Sequence, residues 1–228
     1  MAFLGKGAMV FWNDVIAEGE ADFNHWHVFE HIPERVGVPG FLRGRRYVAV
    51  AAEPKYFNFY ETETFATLTS KPYLDRLNNP TPWTRRSLAN FRNSNRTLCA
   101  VTASFGVGEG AAILTLRFVP KPGSAPDLTR LIEPLCRRPG VVGAHLLHGD
   151  RGASQAETRE KALRERPDQI ADGVILIEAI EAEPLFALRG DVLSDSALIA
   201  NGAEAPVAGV YRLHYGLSRV ELDSSRAA

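Results

Sequence analysis

The tripeptide Pro39-Gly40-Phe41 has a counterpart in Pro139-Gly140-Val141, a hundred positions further on, and the flanks of the two turns match. Pro-Gly ends a helix, and the glycine supplies a backbone conformation that lets the chain reverse. Ahead of the first turn lies the strand-like run AMVFWNDV (8–15), then a helical stretch ending near Val36. Ahead of the second lies AAILTLRFV (111–119), then Asp127 to Arg137, with Leu128, Leu131, Ile132 and Leu135 at helical spacing. After the first turn come the strands FLRGRRYVAV and KYFNFYET (55–62), helical segments to about residue 92, and a strand near 97–105. After the second come VVGAHLLHGD, a charged, polar insertion (150–171) that reads as a surface excursion with a short helix around 155–166, the strand DGVILIEAI, a helix near 183–200 and the strand GVYRLHYGL.

Each half therefore reads β-α-β-β-α-β, the ferredoxin-like order. Such a unit lays two helices on one face of a four-stranded antiparallel sheet and leaves the other face bare. The sheet of the other half is the simplest cover. The expected fold is α+β: tandem ferredoxin-like repeats, residues 1–106 and 107–228, whose antiparallel sheets pack face to face as an intramolecular α/β barrel. The segment FGVGEGAA (105–112) suits the linker.

The bulk numbers narrow the function classes. The 228 residues carry a net charge of -1, whereas proteins that grip phosphate backbones show a basic excess; nucleic acid is not an expected partner. No run approaches the ~20 apolar residues that span a bilayer, so no membrane is expected either. MAFLGKGAMVFWNDV reads as a strand, not a signal peptide. The two cysteines, Cys99 and Cys136, form no C-x-x-C pair and read as small apolar residues in a reducing compartment. The expected location is cytoplasmic.

The chemistry concentrates in HWHVFEHIPER (25–35). At 100° per residue from Asp22 as cap, Val28, Phe29, Ile32 and Val36 form the packing stripe, and His27, Glu30, His31 and Glu34 share the opposite side. Three readings stay open. The polar side is a solvated face with local i, i+3 and i, i+4 support; or His27-x-x-Glu30-His31, an H-x-x-E-H match, grips a metal; or the cluster is an acid/base centre, since histidine titrates near neutrality. Phe23 and Trp26 sit awkwardly on a wholly solvated face, which a cavity-lining helix would explain. Elsewhere, a strand period of two aligns Arg43, Arg45 and Tyr47, fit to hold a carboxylate or enolate unless the arginines pair with neighbouring acids. It also places Asn13 with Met9 and Phe11, and Tyr56, Asn58 and Tyr60 opposite Phe57, Phe59 and Glu61. Thr81 caps a helix with Pro82 in its first turn and Trp83 beside it, a residue that closes a pocket or belongs to the core. Gly106-Val107-Gly108-Glu109-Gly110 is no dinucleotide fingerprint, because a strand follows it.

The tandem order, with E-H-x-P-E closing the first helix and P-G-F-x-R after it, resembles the dimeric α/β barrel superfamily and, more narrowly, its uncharacterised EthD-like bacterial members. The fold resemblance covers nearly the whole chain; the motif resemblance covers about residues 20–92. It implies a small organic ligand without choosing a reaction, since such barrels include cofactor-free monooxygenases, muconolactone-type isomerases, polyketide cyclases and haem-binding chlorite dismutases. It also implies that a histidine near position 31 faces the pocket. The proximal histidine of the haem-binding members has no assignable counterpart, so no haem or other cofactor is expected; no metal is assigned, and the His27/His31 metal reading stays open.

The expectation is thus a cofactor-independent enzyme acting on a small aromatic or carboxylated metabolite. His31 would move the proton and Glu30 or His27 would tune it. Asn13, Trp26, Arg43, Arg45, Tyr47, Tyr60 and Trp83 would bind the substrate. The rivals are a binding or sensing protein that leaves its ligand unaltered, and a scaffold, which an interior packed with Phe and Tyr would favour. A tandem chain can close the barrel alone; a homodimer of whole chains stays open.

Overall fold

Eight strands, each presenting alternate residues to opposite faces, account for most of the architecture. The computed structural model describes residues 3–121 and 128–227; Asp127, expected to open a helix, lies outside them. The first half supplies β1 (Gly7–Val15), β2 (Phe41–Ala51), β3 (Tyr56–Thr62) and β4 (Phe91–Gly106). The second supplies β5 (Ala112–Pro120), β6 (Val141–Gly149), β7 (Gly173–Ala179) and β8 (Ala203–Ser218). They close into a barrel in the order β1-β3-β2-β8-β5-β7-β6-β4, antiparallel throughout. Gly40 and Gly140 take the positive φ values, 85° and 80°, that the two Pro-Gly turns require, and β2 and β6 begin at the next residue.

The sheets do more than face each other. They are joined at both edges, β2 to β8 and β4 to β6. The 16-residue strands β4 and β8 make this possible. Phe91–Ala100 of β4 pair with β1, and Cys99–Gly106 pair with β6. Ala203–Arg212 of β8 pair with β5, and Val210–Ser218 pair with β2. Patterning exposed only the distal part of each, because FRNSNR and AEAPVA carry too little apolar alternation to read as strand.

The barrel axis is packed solid. Ala8, Val10, Trp12, Tyr47, Phe57, Phe59, Cys99, Ile113, Leu147, Val174, Leu176 and Tyr211 form one buried cluster to which every strand contributes. Trp12 Nε1 donates across it to Thr115 Oγ1 at 3.2 Å. The opposite, outer face of the first-half sheet packs under α1 (Glu20–Trp26), α2 (Ile32–Val36), α3 (Lys71–Asn78) and α4 (Pro82–Leu88). The second-half outer face packs under α5 (Thr129–Ile132) and, beyond the insertion, α8 (Glu183–Gly190) and α9 (Asp195–Ala200). The insertion itself forms single turns, α6 (Arg151–Gln155) and α7 (Arg159–Ala162), rather than the one helix expected near 155–166. A last helix, α10 (Arg219–Ala227), buries Leu222 beside α2. Its start is a reciprocal cap: Ser218 N donates to Glu221 Oε2 at 2.8 Å and Glu221 N to Ser218 Oγ at 3.3 Å.

Arg43, Arg45 and Tyr47 do share a face, but it is the barrel interior, away from the first helix. Arg45, 0% exposed, donates to Glu178 Oε2 at 2.7 Å, Glu178 Oε1 at 3.1 Å and Glu61 Oε1 at 3.3 Å. Arg43 Nε donates to Glu61 Oε1 at 2.7 Å, and its guanidinium also pairs with Glu109. His145 Nε2 lies 3.4 Å from Glu178 Oε1. Burial alone would raise the Glu178 pKa; Arg45 and His145 outweigh it and hold the carboxyl well below its usual range. The arginines thus pair with Glu61 on the adjacent β3, Glu178 on β7 across the barrel and Glu109 in the linker, and a pocket containing both His31 and Arg43 or Arg45 does not form.

Candidate functional site

The helix that carries the histidines is not a uniform α-helix. Between α1 and α2, residues His27–His31 form a π-turn, in which the Ile32 N–H donates to the His27 carbonyl five residues back. Pro33, two residues on, has no N–H for the Phe29 carbonyl, which weakens the four-residue ladder at this point. The packing stripe therefore steps by five here. Phe23 and Trp26 are buried before the turn, His27 at its first position, and Ile32, Arg35 and Val36 after it. This corrects the expected stripe: Phe29 is 70% exposed, and His27 and His31 face inward, toward the sheet.

They open on a cavity of about 30 Å³ between the first-half sheet and its helices. β1 supplies Met9 and Phe11 to its wall, and β3 supplies Asn58 and Tyr60. Tyr73, Leu77, Leu88, Phe91 and Arg96 complete the first-half lining, with Arg35 from α2. The insertion, read from composition as a surface excursion, instead reaches across from the second half and adds Glu160 and Arg164. Both Glu160 oxygens lie 2.5 Å from Arg35 Nη2, with the two residues 4% and 1% exposed.

Several polar atoms here lack partners. His27 Nδ1, His31 Nδ1, the Tyr60 hydroxyl and Arg35 Nη1 are buried and make no hydrogen bond. So are Arg46 Nε and Nη1, on the same face of β2 as Gly44, with the guanidinium 5.4 Å from the Phe23 ring. Buried polar atoms are normally satisfied, and four residues with orphaned atoms, His27, His31, Arg35 and Tyr60, line this one cavity, which makes it the candidate site. The imidazoles of His27 and His31 are stacked, 5.1 Å between centroids, and Trp26 lies 4.3 Å from His31. Burial, then the charges of Arg46 and Arg35, hold His27 well below the ordinary imidazole pKa. Burial, then Arg35 and His27, do the same for His31. Both rings are neutral near pH 7. Burial raises the Tyr60 pKa, so its hydroxyl keeps its proton. The arginines also make the spot hostile to a dication, and no group of three or more His, Cys, Asp or Glu fit to hold a metal occurs among the described residues.

The remaining expected residues divide. Asn58 donates to Asn13 Oδ1 at 2.9 Å, so Asn13 stands one contact behind the wall. Glu30 turns away from the cavity to α4. Its Oε1 accepts from Thr81 Oγ1 at 2.6 Å, Trp26 Nε1 at 3.1 Å and Thr84 Oγ1 at 3.2 Å. Trp83 Nε1 donates to Asp22 Oδ1 at 3.0 Å, tying α4 to α1, and does not line the cavity. Thr81 caps α4 as expected, accepting from Thr84 N at 3.0 Å. Arg35, Arg46, Arg96, Glu160 and Arg164 were missed. Arg35 alone left a trace in the sequence, four residues after His31, on the same side of a helix.

Neither a family model nor a curated protein matches the sequence. Solved structures do match in shape. An anthrone oxidase-like protein superposes with a TM-score of 0.61 at 13% identity, over 93% of this chain and 92% of that one. A candidate monooxygenase from Fusobacterium nucleatum subsp. nucleatum gives 0.59 at 10% identity, over 95% and 96%. A second candidate monooxygenase, from Lactobacillus acidophilus NCFM, gives 0.56 at 6% identity, over 94% and 97%. At such identities the likeness shows the fold alone: this chain is an α+β protein built as a ferredoxin-like barrel.

Proposed function

We propose that the chain is a cofactor-independent enzyme that removes a proton from a small aromatic or carboxylated metabolite, with His31 as the base. The carrying observation is the set of orphaned groups around one cavity: two neutral imidazoles, a protonated phenol and the Arg35 guanidinium. A neutral His31 accepts a proton from an acidic C–H or O–H of the substrate. The imidazolium so formed lies beside Arg35 and is unfavourable on its own. It becomes tolerable when the substrate turns into an enolate or phenolate in the same step, and that anion is what Arg35 and the Tyr60 hydroxyl stabilise. The stacked His27 shares the charge-poor pocket and sets the tilt of His31. An anion of this kind can isomerise, cyclise or react with dioxygen. That three shape-matched proteins bear oxidase-like or monooxygenase descriptions supports the last of these.

Deuterium uptake from D2O tests the reading whatever the eventual product. The wild-type protein is incubated with a panel of hydroxyaromatic ketones and keto acids, and exchange at acidic carbon is followed by mass spectrometry. His31→Ala is expected to slow exchange by about 10²-fold or more. Equal exchange by both proteins would remove His31 as the base.

Two observations bear on the rivals. The packed axis favours a scaffold for the barrel interior, but the orphaned atoms of His27, His31, Arg35 and Tyr60 lie on the other side of the sheet. Recovery of an unaltered small molecule from native protein, without exchange activity, would favour a binding or sensing role.

A further inference from the structure

The cavity is too small for the metabolite just proposed: about 30 Å³ holds one or two waters. The obstruction is identifiable. Segment 160–166 forms the partition between the cavity and a surface recess of about 350 Å³ lined by Phe91, Arg92, Asn93, Ser94, Arg164, Glu165 and Arg166. The two spaces share Phe91 and Arg164 as walls. Were the segment withdrawn, they would join into a cleft of the size that ordinary ligands need.

Leu163 packs on the first-half core; the other contacts that hold the partition down are polar. Arg92 pairs with Glu165 at 2.7 Å on the surface, and Arg159 N donates to Asn78 Oδ1 at 3.1 Å. Arg164 pairs with Asp168 at 2.5 Å, inside the segment. The Arg92–Glu165 pair lies at the surface and contributes little; the Arg164–Asp168 pair is buried but stays within the segment, and the Arg164 guanidinium lies 5.5 Å from the Phe11 ring. The buried ion pair that ties the segment to the first half is Glu160 on Arg35, a carboxylate gripped by a guanidinium that has no other close acid among the described residues except Glu34, at 3.8 Å. Outside the segment the cavity wall carries two arginines, Arg35 and Arg96, and no carboxylate; Arg164, within the segment, is already paired with Asp168. That geometry would receive a ligand carboxylate as readily as a side-chain one.

We propose that Glu160 stands in for the carboxylate of the substrate: an aromatic carboxylate displaces it from Arg35 and lifts segment 156–168 away from the cavity. The inference rests on the reading of this cavity as a substrate site and narrows the substrate class to carboxylates. It needs no turnover. The ring would lie among Phe11, Tyr60, Leu88 and Phe91, with its substituents toward the free nitrogens of His27 and His31.

Benzoate is the probe, with benzamide as its uncharged counterpart, and binding is read by titration calorimetry. Benzoate should bind the wild-type protein, and Glu160→Gln should bind it about tenfold tighter, because a neutral amide competes poorly for Arg35. Benzamide should gain less than about twofold, and Arg35→Gln should lose benzoate binding. In the unaltered protein, saturating benzoate should also speed amide hydrogen exchange over residues 158–165, where Leu163 N donates to Glu160 O and Arg164 N to Lys161 O. The proposal is overturned by equal benzoate affinity in wild type and Glu160→Gln, by an equal gain for benzamide, by no benzoate binding at all, or by unchanged exchange on binding. Benzoate has no acidic C–H, so these results are independent of whether His31 moves a proton.

Discussion

Removing the two imidazoles of the cavity should flatten the acid limb of the stability curve. A histidine kept neutral by burial has its folded pKa depressed, while the unfolded chain titrates near the ordinary value of about 6.5. Below that pH the unfolded state binds more protons than the folded state, so stability falls as pH falls toward the folded pKa. For a ring that stays neutral, lowering the pH from roughly 7.5 to 5.5 costs about 1.4 kcal/mol, which gives a ceiling near 3 kcal/mol for His27 and His31 together. In a chain of this length that corresponds to roughly 5–10 °C in Tm. The measurement is denaturant unfolding of the wild type and of the His27→Gln, His31→Gln double variant at both pH values. Each protein is compared with itself, so any constant loss from the substitutions cancels, and the other four histidines are common to both. The wild type should lose up to about 3 kcal/mol more than the variant across this range. Parallel pH dependence would mean that the rings titrate normally, and the neutral-base argument would fall with it.

Three further outcomes follow from the packing. Glu178→Gln strips a charge from the axial network and leaves Arg45 with Glu61 at 3.3 Å and the partly exposed Glu109 at 3.7 Å, so it should cost about 3 kcal/mol by chemical denaturation; the deficit should shrink as pH falls below about 4, where the wild-type carboxylate begins to lose its advantage. Gly44→Ala would put a methyl 2.8 Å from Tyr60 Cε1 and 3.1 Å from Ile32 Cγ2; it should cost about 1–3 kcal/mol and weaken benzoate binding by moving Tyr60. Thr81→Ala removes both the α4 cap and one donor to Glu30, and should lower stability by about 1 kcal/mol or somewhat more, with deuterium exchange activity retained.

The halves, the turns and the face assignments were legible because they depend on period and on glycine conformation. Asn13 and Tyr60 fell on the side of the sheet that alternation gave them. Alternation also grouped Arg43, Arg45 and Tyr47, but it carries no sign. Which face is interior was decided by Glu61 and Glu178 on other strands, one of them in the other half. The histidine stripe was misplaced because a uniform 100° step cannot represent a five-residue turn; Pro33 announces a weakened ladder, not the direction in which the helix relaxes. The insertion escaped because charge composition reads as solvent exposure, and nothing local to Glu160 indicates a guanidinium 125 positions away. α10 was within reach, since Ser218-Arg219-Val220-Glu221 is a capping box.

The long strands β4 and β8 give the molecule a particular relation to its neighbours. Because they stitch the two repeats into a continuous ring, the sheet offers no lip of bare amides along which another polypeptide could zip on. Among the described residues, then, a second copy or any other protein that settles on this one would meet side chains on helices and loops rather than an open strand to extend.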